Sequence, residues 1–135
     1  MELKIYCDGA SRGNPGKSAY AFIIIGGGIH CGTLGENTNN VAEYLAINNT
    51  INYMCSDDFL KDSDITIFSD SELVIKQLNG KYRTKDEKLK LMQRIISEKV
   101  KKFRFVRFEW VSSDHPKIQL ADSLCNMILD KARTV

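Results

Sequence analysis

The chain has 135 residues and a formal net charge of +2, and it is 43% hydrophobic and 27% charged, the balance of one globular domain with one core. Its longest apolar stretch, Tyr20–Ile25, is far short of the ~20 residues that span a bilayer, which excludes a membrane helix. A charge this close to zero does not by itself indicate a nucleic-acid partner.

Leu3–Asp8 reads as a strand that ends in the turn-forming stretch "DGASRGNPG". No basic segment followed by a long apolar one precedes it, so the expected location is the cytoplasm. Ser18–Ile25 is a second strand, Gly26–Gly28 a turn, and Ile29–Leu34 a third strand returning from it, which makes an antiparallel meander. Val41, Leu45, Ile47, Ile51 and Met54 have helical spacing and predict a helix over Asn40–Met54. Asp64–Phe68 is a fourth strand and Ser71–Leu78 a short helix closed by Asn79–Gly80. Lys85–Val100 is a longer amphipathic helix, Phe103–Val111 a fifth strand, and Ile118–Ala132 a last helix. The order βββαβααβα predicts one α/β domain over residues 1–135, with a five-stranded mixed sheet flanked by helices.

Cys7, Cys31, Cys55 and Cys125 form no CxxC pair, and the two histidines are far apart. Free, mostly buried thiols fit this spacing better than a zinc site. Basic residues crowd two stretches: Lys76, Lys81, Arg83, Lys85, Lys88 and Lys90, then Lys99, Lys101, Lys102, Arg104 and Arg107. They describe either a solvated helix face or a surface that tracks phosphates.

Four acids stand at element ends, and each has an ordinary alternative. Asp8 closes the first strand and would also serve as a turn cap. Glu43 follows Asn40 by three residues, as in a capping box. Asp70 precedes a helix as an N-cap would, and Asp122 lies near the positive end of the last helix. Together they are more telling. Acids at strand ends and helix starts of one sheet converge, and four carboxylates in one pocket repel strongly unless cations are present. Oxygen-only donors select a hard ion such as Mg²⁺ or Mn²⁺.

The segments "DGASRGNPG", "TNNVAEY", "FSDSELVIKQLNG", "FEWV" and "ADSLCN" resemble, in order and in spacing, the successive motifs of type 1 ribonuclease H, from about Ile5 to Asp130. The resemblance implies an RNase H-like fold and a monomer that hydrolyses the RNA strand of RNA–DNA hybrids with two Mg²⁺ ions, Mn²⁺ being a substitute. It assigns the metal to Asp8, Glu43, Asp70 and Asp122. Asp8 would bridge both ions, Glu43 and Asp122 would flank one each, and Asp70 would hold the water side. It assigns substrate contacts to Gly9, Asn14, Thr38, Asn39, Asn40, Ser71 and Glu72, with Gly9 letting the backbone approach a ribose. Many relatives place a histidine in a loop before the last acid; an ungapped match puts Ser112 there, and His115 takes the catalytic role if the loop is shorter. The basic handle of some members is missing, and Lys81, Arg83, Lys85 and Lys88 are expected to substitute for it in part in holding the hybrid; the family's channel aromatic has no secure counterpart, Tyr82 being the residue offered for it. Two other readings stay open: a hybrid-binding module without catalysis, and a DNA-junction nuclease on the same fold.

Overall fold

In a computed structural model, residues 2–133 are described. Alternation along the first strand sets the layers. Strand β1 (Glu2–Gly13) turns Ile5 and Cys7 to one face and Tyr6, Asp8 and Ala10 to the other. It pairs antiparallel with β2 (Gly16–Ile24), and β2 with β3 (Ile29–Asn37). On its other side β1 pairs in parallel with β4 (Asp64–Ser69), and β4 with β5 (Phe105–Trp110). The sheet order is β3-β2-β1-β4-β5. This is the expected mixed sheet.

Helix α1 (Asn39–Cys55) packs on β1 and β2 with Val41, Tyr44, Ile47, Ile51 and Met54. Helices α2 (Glu72–Leu78) and α3 (Glu87–Val100) complete that core through Val74, Ile75, Leu89 and Ile96. Helix α4 (Pro116–Arg133) covers the opposite face, where Ala121, Cys125 and Leu129 meet Ala19, Ala21 and Ile23. Small residues on both sides bring α4 close to the sheet.

Several boundaries differ from the sequence reading. Asp8 does not end β1; it sits mid-strand, opposite Ala21, and pairing continues to Gly13↔Gly16 around a turn with a cis Asn14–Pro15 bond. The turn formers after Asp8 are held extended because β2 supplies a partner at every step. α1 is capped by Thr38, whose hydroxyl accepts the Val41 N–H, so Asn40 is already helical and Glu43 lies beyond any capping box. Ser71, not Asp70, caps α2, and Asp86 caps α3, which begins at Glu87, two residues after its expected start at Lys85. β5 begins at Phe105 rather than Phe103, and a short 3₁₀ turn, Asp58–Asp62, was not foreseen. Of the four free cysteines only Cys7 and Cys125 are buried; Cys31 is exposed.

Candidate active site

The site forms where two parallel strands part. The last β1–β4 pair is Tyr6↔Phe68. Two residues further along each strand stand Asp8 and Asp70. β1 continues with β2 alone and β4 stops at Ser69, so Asp8 and Asp70 stand where the two strands part. The backbone at Asp70 is pinned: the Ser71 N–H donates to Ser69 Oγ (3.1 Å), the Val111 N–H to the Ser69 carbonyl (3.0 Å), and Trp110 Nε1 to the Asp70 carbonyl (3.1 Å).

Glu43 arrives from α1, and Gly9 lets it. A Cβ on Gly9 would stand 2.2 Å from the Ala42 carbonyl oxygen and 2.8 Å from the Glu43 nitrogen, so only glycine allows the helix this close. The Gly9 N–H then donates to Glu43 Oε1. Packing of α1 is therefore a reason for Gly9 that the sequence reading did not supply.

One carboxylate oxygen from each of Asp8, Glu43 and Asp70 lies within 4.8 Å of the others. Asp8 is only 6% exposed; burial first, then the neighbouring Asp70 and Asp122 charges, push its carboxyl up to about 8. Burial, with Asp8 and Asp70, holds Glu43 well above the carboxylate range, against the opposing pull of the Gly9 N–H. Asp70 is raised as well, chiefly by burial. Asp122, exposed in the second turn of α4, borders Asp8 rather than joining the tight trio. Carboxylates packed this closely bind protons avidly unless cations replace them, and the donor set is all oxygen. It fits a hard divalent ion. The buried thiols beside it, Cys7 (Sγ to the Phe68 carbonyl, 3.5 Å) and Cys125 (Sγ to the Asp8 carbonyl, 3.7 Å), are raised by burial and are inert structural groups.

His115 lies on the α4 face of the same strand. Its ring stacks on Tyr6 at 4.5 Å, and Tyr6 stacks on Phe68 at 4.6 Å. Its Nδ1 accepts the Lys117 N–H at 3.1 Å as an N-cap does, with Pro116 next in the chain. Nε2 is the nitrogen left for other work.

The polar substrate residues converge beside the start of α1. Asn14, Thr38, Asn39 and Asn40 line one groove of about 500 Å³ together with Asp86 and Lys88, and the Asn14 side chain accepts the Asn39 N–H at 3.0 Å. Ser71 is committed as the α2 cap, and Glu72 pairs with Lys76, whose ammonium also reaches the Tyr82 hydroxyl at 3.1 Å. Lys81, Arg83 and Lys85 are exposed in the loop between α2 and α3, with no acidic partner in the ion pairs among the described residues.

The RNase H family model matches residues 1–127. The chain belongs to the RNase H family. It is 37% identical over 134 residues to ribonuclease HI of Halobacterium salinarum, covering 94% of this chain and 64% of that protein. A ribonuclease H of Tropheryma whipplei is 32% identical, over 98% of this chain and 88% of the other. The chain spans only 36% of a bifunctional protein of Mycobacterium tuberculosis, at 30% identity. Among solved structures, LC11-RNase H1 in complex with RNA/DNA hybrid superposes with a TM-score of 0.86 at 31% identity, over 96% of this chain and 98% of the other. The Halobacterium RNase H1 crystal structure gives 0.81 at 34%, over 97% and 99%.

As in the handle-less reading of this RNase H chain, no helix stands between Leu78 and Glu87. Sequence reasoning missed the neighbours of the fourth acid. Asn126 Nδ2 donates to Asp122 Oδ2 at 3.3 Å, and Arg12 contacts Asn126 in turn. The i,i+4 spacing of Asp122 and Asn126 was the available signal; the contact from Arg12 spans 114 positions and left none.

Proposed function

We propose that this chain is a metal-dependent endonuclease that hydrolyses the RNA strand of RNA–DNA hybrids, working as a monomer in the cytoplasm. The observation that carries this reading is the Asp8–Glu43–Asp70 cluster, gathered where β1 and β4 part in a chain that belongs to the RNase H family. The RNA/DNA hybrid bound by the similar LC11 protein supports the choice of substrate.

Asp8, Glu43, Asp70 and Asp122 would hold two Mg²⁺ ions, or Mn²⁺ in their place. When bound, such ions generate a water nucleophile and stabilise the leaving 3′-oxygen. Asp8, which adjoins Glu43, Asp70 and Asp122, would be the ligand shared between them. The Gly9 N–H orients Glu43, and the pinned Ser69–Ser71 backbone aims Asp70. His115, fixed by Tyr6 and by its cap bond, presents Nε2 as the site that takes up and releases a proton. The Asn14–Thr38–Asn39–Asn40 groove receives sugar and phosphate, with Ser71 and Glu72 on the RNA side. Lys81, Arg83 and Lys85 follow the DNA strand. Contact with the 2′-hydroxyl separates RNA from DNA.

The test is a substrate panel of RNA–DNA hybrid, duplex RNA, duplex DNA and a DNA junction, each with Mg²⁺ and with Mn²⁺. The expected result is cleavage of the hybrid alone, suppressed where the ribose nearest the cut is replaced by deoxyribose. Binding without turnover would leave a hybrid-binding module, and cutting of the junction would identify the other nuclease class.

A further inference from the structure

The first motif contains one charged side chain without a task so far, Arg12. β1 carries it on the face of Asp8, toward α4. Its Nη2 donates to the Asn126 side-chain Oδ1 at 3.3 Å and to the Asn126 carbonyl at 3.2 Å, and lies 2.7 Å from Asp130 Oδ1. Asn126 Nδ2 donates onward to Asp122 Oδ2 at 3.3 Å. Asp122, Asn126 and Asp130 are spaced i, i+4, i+8 and form one stripe of α4. The Asn126 amide has one orientation that serves both neighbours. Turned over, it would set N–H against guanidinium and oxygen against carboxylate.

Asp122 is also the acid most in need of such help. Asp8 is buried, Glu43 takes a backbone N–H, and Asp70 hangs from a pinned backbone. Asp122 is exposed, and its freedom must be lost whenever it ligates an ion.

We propose that Arg12 is a positioning residue for the fourth carboxylate, acting through Asn126 to hold Asp122 ready for a divalent cation. This rests on reading Asp122 as a metal ligand. A guanidinium placed directly on Asp122 would compete with the cation. The intervening amide transmits the order without laying the charge on the ligand oxygen, and Asp130 neutralises it from the far side.

The test compares wild type with Arg12→Met, Arg12→Lys, Asn126→Ala and the Arg12→Met/Asn126→Ala double variant. Two Mg²⁺ titrations are read: the rate of hybrid cleavage, and the thermal stabilisation of the protein without substrate. Arg12→Met and Asn126→Ala should each raise both Mg²⁺ midpoints on the order of tenfold, as loss of a ligand's hydrogen-bond partner does. The double variant should be no worse than either single one, and Arg12→Lys should fall between Arg12→Met and wild type. KM for the hybrid at saturating Mg²⁺ should stay within about twofold, because the effect acts through metal affinity. Unchanged midpoints in the single variants would overturn the proposal, as would a raised KM with constant midpoints, which would make Arg12 a substrate contact. If Arg12→Met does not fold, Asn126→Ala decides alone, and an unshifted midpoint there overturns the proposal. A wild type that neither cleaves hybrid nor responds to Mg²⁺ would refute the functional reading itself. A responsive wild type with unshifted variants refutes only the role of Arg12.

Discussion

Replacing Asp8 by Asn should stabilise the metal-free protein and abolish its activity. Asp8 is 6% exposed, and its carboxyl is pushed up to about 8 by burial and by Asp70 and Asp122. An unfolded Asp titrates near 3.9. Between these values the folded state holds a proton that the unfolded state has lost, so folding stability falls as pH rises through the window. About four pKa units at 1.36 kcal/mol each set a ceiling of roughly 5–6 kcal/mol for the loss above pH 8. Side-chain relaxation and water entry leave about 2–3 kcal/mol of it, or roughly 10 °C in Tm. Asn mimics the protonated form and does not titrate. In EDTA, Tm of the Asp8→Asn variant should therefore match wild type near pH 4 and exceed it increasingly up to pH 8, while Glu43 and Asp70 leave a residual slope in both. Adding Mg²⁺ should reverse the order, because only wild type keeps the shared ligand. Turnover should fall at least 100-fold, about 2.7 kcal/mol of barrier stabilisation. A Tm difference independent of pH, or turnover above a tenth of wild type, would refute the reasoning.

Gly9→Ala should cost about 3 kcal/mol or more in urea unfolding and also lower activity. The new Cβ meets helix backbone at 2.2 Å, and the Gly9–Glu43 bond must give way; a loss under ~0.5 kcal/mol would show that α1 does not pack as described. Changing Lys81, Arg83 and Lys85 together to Ala should weaken hybrid binding most at low salt and reduce the slope of log Kd against log salt by up to about 3, with little change in saturated turnover. Parallel slopes and equal affinities would make these three a solvated surface. Tyr44→Phe should cost about 1–3 kcal/mol by thermal or urea denaturation, because the buried Tyr44 hydroxyl donates to Gln77 Oε1 at 2.7 Å and the amide oxygen would be left without it; a neutral substitution would mean that water replaces the bond.

The sheet was legible because its strands alternate or run apolar in short bounded segments, and Asp8, Glu43 and Asp70, which the fold brings together, were named from their motifs. What local reading got wrong were features set by partners distant in sequence. "DGASRG" has turn chemistry, yet it is strand because β2 pairs with every residue of it. Asn40, Asp70 and Lys85 are each plausible helix starts, but Thr38, Ser71 and Asp86 are the side chains that accept the first free N–H groups. Gly9 was expected to let the backbone approach a ribose, and the structure adds a second demand that the sequence did not show, the backbone of α1. His115 was placed by chain position, and nothing in the sequence said that its Nδ1 would cap α4 and its ring would rest on Tyr6.

A cluster of carboxylates opposes its own assembly, so the elements that bring it together must be held by contacts outside it. Each acid adjoins a residue that is almost wholly buried. Asp8 follows Cys7 at 1% exposure, Glu43 stands between Ala42 and Tyr44 at 0%, Asp70 follows Ser69 at 1%, and Asp122 follows Ala121 at 0%. The neighbours lie in different parts of the fold: Cys7 and Tyr44 in the core under α1, Ala121 in the separate core under α4, and Ser69 at the end of the β4 ladder. Repulsion at the site is therefore resisted from both faces of the sheet at once. Moving any one acid away requires a buried neighbour to leave its packing, which opposes the separation that the repulsion favours. For Asp122 alone this anchoring ends at the backbone, since its side chain is exposed, and there the stripe through Asn126 to Arg12 supplies the restraint that burial supplies to Asp8.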